Sequence, residues 1–185
     1  MPAPALHTPR LTLRDTPRLT LRGHVMADLE ALCDLLGTDR ARHMGGPLPR
    51  LEAWRWMASE VAMWDLMGHG VWGIETRDGT FLGQIGITRP PHYPEAELGW
   101  TLLEDAEGAG YASEAAQAVL LWAWENGFSS LVSYITPEND RSVALAKRLG
   151  AIHDPEAALP EGETPADTVV FRHRPDADGS PEAYA

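Results

Sequence analysis

Cysteine is almost absent from the chain: Cys33 is the only one in 185 residues. That excludes an internal disulfide framework and fits a reducing cytoplasm, where the protein is expected to reside. Neither CxxC nor HExxH occurs, so no structural or catalytic metal is expected. No apolar run is long enough to span a bilayer. The first ten residues, MPAPALHTPR, lack the basic start and apolar stretch of a secretory signal. Positive charge is scarce as well, with 15 Lys and Arg against 27 Asp and Glu, a formal net charge of −12. Nucleic acid and membrane are therefore not expected as partners, because neutralising phosphates needs a basic face. The acidity serves solubility and is compatible with a cationic or amine substrate.

What is present reads as one domain with a sizeable core. The segments Thr8–Arg14 and Thr16–Arg22 are both TPRLTLR. Each alternates apolar and polar residues as a half-buried strand does. The second copy is expected to be the first strand of the domain, and the first copy an edge strand or a tail. Residues 26–37 predict a helix with Val25, Leu29, Leu32, Leu35 and Leu36 on its apolar side. Residues 51–68 predict another, with Trp54, Met57, Val61 and Trp64 spaced for one face. Three strands follow as a meander, the first two joined at Asp78-Gly79. Then come a helix from Tyr111 to about Asn126, a buried strand SLVSYIT, a short helix with Asn139 or Asp140 near its start, a long loop over 153–167 and a last strand over 168–174. The expected fold class is α+β, a single mixed, mostly antiparallel sheet flanked by helices. Residues 1–15 read as an extension, 16–175 as the domain and 176–185 as a flexible tail.

Between the third meander strand and the next helix lies EDAEGAGYASEA, residues 104–115. Glycines between a strand end and a helix start let backbone N–H groups converge on an anion, and the helix end adds its dipole. A tight turn with no ligand would select the same glycines. A dinucleotide fingerprint fails because Ser113 takes the third glycine position, and a P-loop fails for want of the Gly-Lys pair.

The run AELGWTLLEDAEGAGYASEAAQAVL resembles the GNAT acetyltransferases, most closely their RimJ/RimL-like branch. NDRSVALAKRLGA is similar to a second segment of that family, and PRLTLRGHVMADLEAL to its front. The resemblance implies a GNAT-like fold, acetyl-CoA as cosubstrate and transfer of the acetyl group to a primary amine, a protein N-terminus or a small amine, by direct transfer in a ternary complex. It further implies that the strand end Leu102, Leu103 and Glu104 meets the pantetheine arm. Backbone N–H groups over Gly108, Ala109, Gly110, Tyr111, Ala112 and Ser113 would hold the pyrophosphate. Asn139 would contact the pantetheine or acetyl end, while Lys147 and Arg148 could meet phosphates of the nucleotide. Three positions depart from the family pattern. Glu107 stands where a Gln or Arg is usual and is expected to turn to solvent, Ala146 stands where many members carry an acidic Tyr, and Ala151 replaces a Phe.

Amine acetylation needs a proton acceptor for the amine, donors for the carbonyl oxygen and close positioning of the two substrates. Glu97, on the strand before the loop, is the first choice for the base, with Glu95 and His92 as runners-up. Each of these could instead be an ordinary exposed or ion-paired group. Ser142 is the candidate near the leaving thiolate, although a first-turn Ser commonly bonds helix backbone. Glu114 recurs in the family string, yet the helix dipole also explains it. Cys33 reads as core rather than nucleophile. The acceptor pocket is expected between residues 43–49, Trp54 and residues 90–95. Two alternatives remain open: a catalytically degenerate GNAT fold that binds an acyl-CoA or a protein, and a structural domain pairing through an edge strand, perhaps as a homodimer.

Overall fold

In the computed structural model, which describes residues 6–8 and 18–175, Arg22 sets the start of the domain. Strand β2 (Leu19–Arg22) alternates, burying Leu19 and Leu21 completely. Arg22 at its end grips both oxygens of Asp28 at 2.8 Å and the carboxylate of Glu75 at 2.6 Å. Asp28 also accepts the Val25 N–H at 3.0 Å, closing the turn into helix α1 (Asp28–Leu36). That helix buries Leu29, Leu32, Leu35 and Leu36 as predicted, whereas Val25 lies ahead of it and is half exposed.

A 3-10 helix (Asp39–Met44) leads to helix α2 (Arg50–Met67). The predicted stripe is corrected here. Trp54 and Val61 are 40% and 42% exposed, and the buried face is Ala53, Met57, Glu60 and Trp64. It sits one residue, about 100°, around the helix from two of the expected positions. Close approach to the sheet selects a small Ala53 and a hydrogen-bonding Glu60 over the bulkier apolar neighbours. Glu60 accepts from the Trp56 indole and from the Gln84 amide at 2.9 and 3.0 Å.

The meander follows as β3 (Val71–Thr76), β4 (Phe81–Thr88) and β5 (Glu97–Leu102), with Gly79 at φ +87° in the first turn. Helix α3 (Tyr111–Glu125) crosses to β6 (Leu131–Ile135). Helix α4 (Asp140–Arg148), β7 (Ile152–His153) and β8 (Val169–His173) complete the domain. A three-residue β1 (Leu6–Thr8) pairs with β2, giving one sheet in the order β1-β2-β3-β4-β5-β6-β8-β7. Every neighbouring pair is antiparallel except β5 with β6. The sequence reading misses two short strands: β7, two residues long, and β1, most of which precedes the duplicated segment. The rest of the first TPRLTLR copy and the 176–185 tail lie outside the described residues. Ala115, Val119, Leu120 and Ala123 of α3 pack without exposure against the sheet.

Glu60 makes stability depend on pH. Burial pushes its carboxyl up to about 8, against the hydrogen bonds from Trp56 and Gln84. The folded state therefore holds a proton that the unfolded chain gives up above about pH 4.5, so stability falls as pH rises from there toward 8. The melting temperature is expected to drop between about pH 5 and pH 8, and Glu60→Gln to flatten that decline. Parallel melting curves for both proteins would refute this role.

Candidate active site

The parallel pairing of β5 with β6 stops almost as soon as it starts. Glu97 opposite Val132 is the one registered pair, with Val132 N–H donating to Ala96 C=O at 3.0 Å. One step on, a side chain replaces the ladder: Ser133 Oγ donates to Leu98 C=O at 2.7 Å and lies 3.0 Å from His173 Nε2. Burial pushes His173 down to about 4, which keeps the ring neutral. On the other side of β5 the Leu103 N–H bonds Leu82 C=O, so by strand alternation the backbone of Trp100 and Leu102 faces the open side. An unpaired strand edge can receive amides of an extended ligand. Of the three predicted pantetheine contacts, Leu102 lies on this edge, but its C=O already accepts from Arg40 Nη2 at 3.3 Å. The carbonyls of Leu103 and Glu104 are instead taken by the N–H groups of Ala106 and Glu107. Trp100, which the sequence reading omits, takes their place, and period-two counting from Leu102 could have found it.

Beyond β5 the chain makes a 3-10 turn (Glu104–Ala106) and then the glycine loop. Gly108 and Gly110 adopt φ of +75° and +79°, a region that disfavours any Cβ, and Gly110 is the N-terminal cap of α3. No side chain caps the helix, so its first N–H groups are left for a ligand. Arg18 braces the loop from outside. It donates to Ala109 C=O at 3.1 Å, pairs with Glu114 at 2.6 Å and lies 4.6 Å over the Tyr111 ring. Glu114 is thus buried and paired, more than a dipole-favoured surface acid.

Glu107 does not turn to solvent. Its carboxylate is bracketed by Arg40, at 2.5 Å, and by Arg141 at the start of α4. Arg40 also donates to Leu102 C=O at 3.3 Å. Neither arginine is named by the sequence reading, and no local pattern marks them.

Glu97 sits where β5 and β6 part. Burial pushes its carboxyl up to about 7, and the nearby Glu163 charge raises it further, while the Tyr134 N–H and the Thr88 hydroxyl support the charged form. A carboxyl poised near neutral pH suits proton acceptance. The runners-up do not match it. Glu95 is clamped by Arg172 at 2.6 and 2.8 Å, and those hydrogen bonds hold it below the usual carboxylate range. His92 is exposed and packs on Tyr93. Tyr93 and Tyr134, in edge-on contact at 5.3 Å, stand beside Glu97 and are both shifted up by burial.

In α4, Asn139 caps the helix by accepting the Ser142 N–H at 3.2 Å, which places both residues at its start, in the turn whose Arg141 reaches Glu107. Ala146 and Ala151 pack in a small core with Ile135 and Phe171. Ala146 is fully buried in that core, against which Trp100 of β5 also packs. Lys147 is exposed in the last turn, about 12 Å of helical rise from Asn139, and the structure does not bring it to the loop. Cys33 is partly buried between two core clusters.

A cavity of about 370 Å³ opens beyond the end of β6. Arg42 and His43 of the 3-10 helix line one side, Thr136 and Glu138 another, and Glu163 and Thr168 of the long loop a third. The predicted walls are met in part: His43 and Gly45 contribute, but Trp54 and residues 90–95 do not. The long loop, unassigned in the sequence reading, supplies much of the wall and is tied to His92 C=O by the Glu161 N–H at 3.0 Å.

Residues 18–152 match the family model described as "Acetyltransferase (GNAT) domain". The chain belongs to the GNAT acetyltransferase family. Membership places it among acyltransferases that use acetyl-CoA as cosubstrate. The chain is similar to an acetyltransferase of known structure from Agrobacterium tumefaciens, with 39% identity, coverage of 94% of this chain and 96% of that one, and a TM-score of 0.83. The uncharacterized protein YkkB of Bacillus subtilis is 36% identical over 89 residues, 45% of this chain and 52% of its own length, so the match spans about half of that relative. RimL, a ribosomal L7/L12 alpha-N-protein acetyltransferase solved with coenzyme A, shares the fold at 18% identity and a TM-score of 0.69, covering 88% of this chain and 96% of its own. Among the described residues no cluster of His, Cys, Asp and Glu could hold a metal ion, and no helix is long and apolar enough to cross a membrane.

Proposed function

We propose that the protein transfers an acetyl group from acetyl-CoA to a primary amine, directly and within a ternary complex. The observation that carries this reading is Glu97, a carboxyl with its pKa near neutrality at the one registered pair of β5 with β6, on the strand that leads into the glycine loop. When bound, acetyl-CoA supplies the activated acyl thioester. The chain's own residues do the rest. N–H groups of residues 108–113 receive the pyrophosphate, and the open edge of β5 at Trp100 orients the pantetheine arm. Glu97, ionised above about pH 7, takes the proton from the amine directly or through one water. Asn139 and Ser142, at the start of α4, order the thiol end.

The acceptor occupies the cavity. Glu138, Glu163 and Asp167 on its wall favour a cationic amine, either a peptide N-terminus or a small amine. A screen of amines and short peptides, read by release of CoA thiol, tests the reading. Turnover of at least one amine is expected, with a rate that rises through about pH 7. Saturable acetyl-CoA binding without turnover of any amine would favour a binding module. Absence of acetyl-CoA binding would refute the proposal.

A further inference from the structure

Glu107 is an anion at the threshold of a loop built to receive anions, and the structure shows what it holds. One carboxylate lies between two guanidinium groups that come from separate elements, Arg40 from the 3-10 helix after α1 and Arg141 from the first turn of α4. Two cations sharing one anion leave positive charge over. Glu104 reaches Arg40 only at 3.9 Å and is largely exposed, so it offsets little of that. Arg40 also has a buried Nε without a hydrogen-bond partner. Its Nη2, bonded to Leu102 C=O, sits at the junction of the open strand edge and the loop. In a chain of net charge −12, two guanidinium groups thus meet at the start of the glycine loop.

Resting on the acetyl-CoA reading above, we propose that Glu107 is a displaceable internal counter-anion. In the free protein it holds Arg40 and Arg141 at the mouth of the glycine loop. On binding, the cofactor's pyrophosphate takes over both guanidinium groups, and the Glu107 carboxylate swings out to solvent. No bond is made or broken other than ion pairs and hydrogen bonds. The arrangement lets an acidic residue occupy the position next to the phosphates: it pre-organises two distant arginines and screens their mutual repulsion until the ligand arrives. Its cost is competition, because the phosphates must displace a carboxylate to gain the same partners. Arg18 is not part of the exchange, since it is committed to Glu114 and Ala109 C=O.

Calorimetric titration with acetyl-CoA, and with S-acetylpantetheine, which lacks the pyrophosphate, tests this. Glu107→Gln removes the competitor and is expected to tighten acetyl-CoA binding by about three- to tenfold at low salt, the range of one or two partly exposed ion pairs. The gain should shrink as salt rises and be absent for S-acetylpantetheine. In the Arg40→Gln/Arg141→Gln protein, acetyl-CoA should bind more weakly than in the wild type, and adding Glu107→Gln should recover little. Glu107 is partly exposed and Arg141 mostly so, and equal melting temperatures would confirm that folding is intact. If Glu107→Gln binds acetyl-CoA equally or more weakly while the wild type binds it well, the exchange is wrong and the functional reading stands. An equal gain with S-acetylpantetheine would also overturn it. If no variant binds acetyl-CoA, the functional reading falls and the exchange falls with it.

Discussion

Replacing Glu97 with glutamine is expected to lower the acetylation rate by about 10²- to 10⁴-fold, the usual contribution of a positioned general base. The sign of the pH effect follows from its raised pKa. Below about pH 7 the wild-type carboxyl holds a proton and cannot accept one from the amine, so the rate should rise with pH through that value and then level. The variant has no group titrating there, so its residual rate should lack this limb. Glutamine keeps an oxygen to accept from the Tyr134 N–H and the Thr88 hydroxyl, and acetyl-CoA binding should stay within about twofold of the wild type. Steady-state rates from about pH 5.5 to 9, with the affinity measured separately, check the prediction. An unchanged limb at pH 7 in Glu97→Gln would transfer the base role elsewhere. Glu95 is a poor substitute while Arg172 clamps it.

Gly110→Val is expected to weaken acetyl-CoA binding by about 10²-fold or more. The cause is conformational and not steric. A Cβ at Gly110 would meet only Arg18 Nη2, at an ordinary 3.8 Å, but φ is +79°, where a β-branched residue is strained. Valine would drag the backbone toward negative φ and turn the N–H groups at the start of α3 away from the pyrophosphate, and small misplacements at a preorganised site are costly. Asparagine tolerates left-handed geometry, so Gly110→Asn should keep most of the affinity. The contrast between the two variants, read by titration and by the acetyl-CoA-induced rise in melting temperature, separates conformation from bulk. Equal behaviour of Val and Asn would show that backbone geometry at Gly110 is not what binds the cofactor.

Features legible in the sequence are those whose physical cause is local. The glycines at 108 and 110 mark positive φ, Asn139 marks a cap three residues ahead of the Ser142 N–H it accepts, and Asp78-Gly79 marks a hairpin turn. Each depends on a few adjacent residues. Glu97 was reachable because it lies on the strand leading into the loop. The α2 stripe was misread because periodicity allows more than one face. The choice between Trp54 with Val61 and Ala53 with Glu60 was made by Gln84 on β4, which the helix does not contain. Strand β7 escaped because two residues carry no period.

The sequence by itself determined the family, the order of the main elements, the positive-φ glycines ahead of α3 and the place of Glu97 on the strand before them. These follow from short-range rules, backbone conformation and side-chain periodicity, which the order of residues states directly. Tertiary structure alone decided the electrostatics. It took the β5–β6 fork to put Glu97 near neutral pKa beside Glu163, and the approach of the 3-10 helix to α4 to place Arg40 and Arg141 on either side of Glu107. Those partners lie 67 and 34 positions away along the chain. Charge acts through space, and only the folded chain sets those distances.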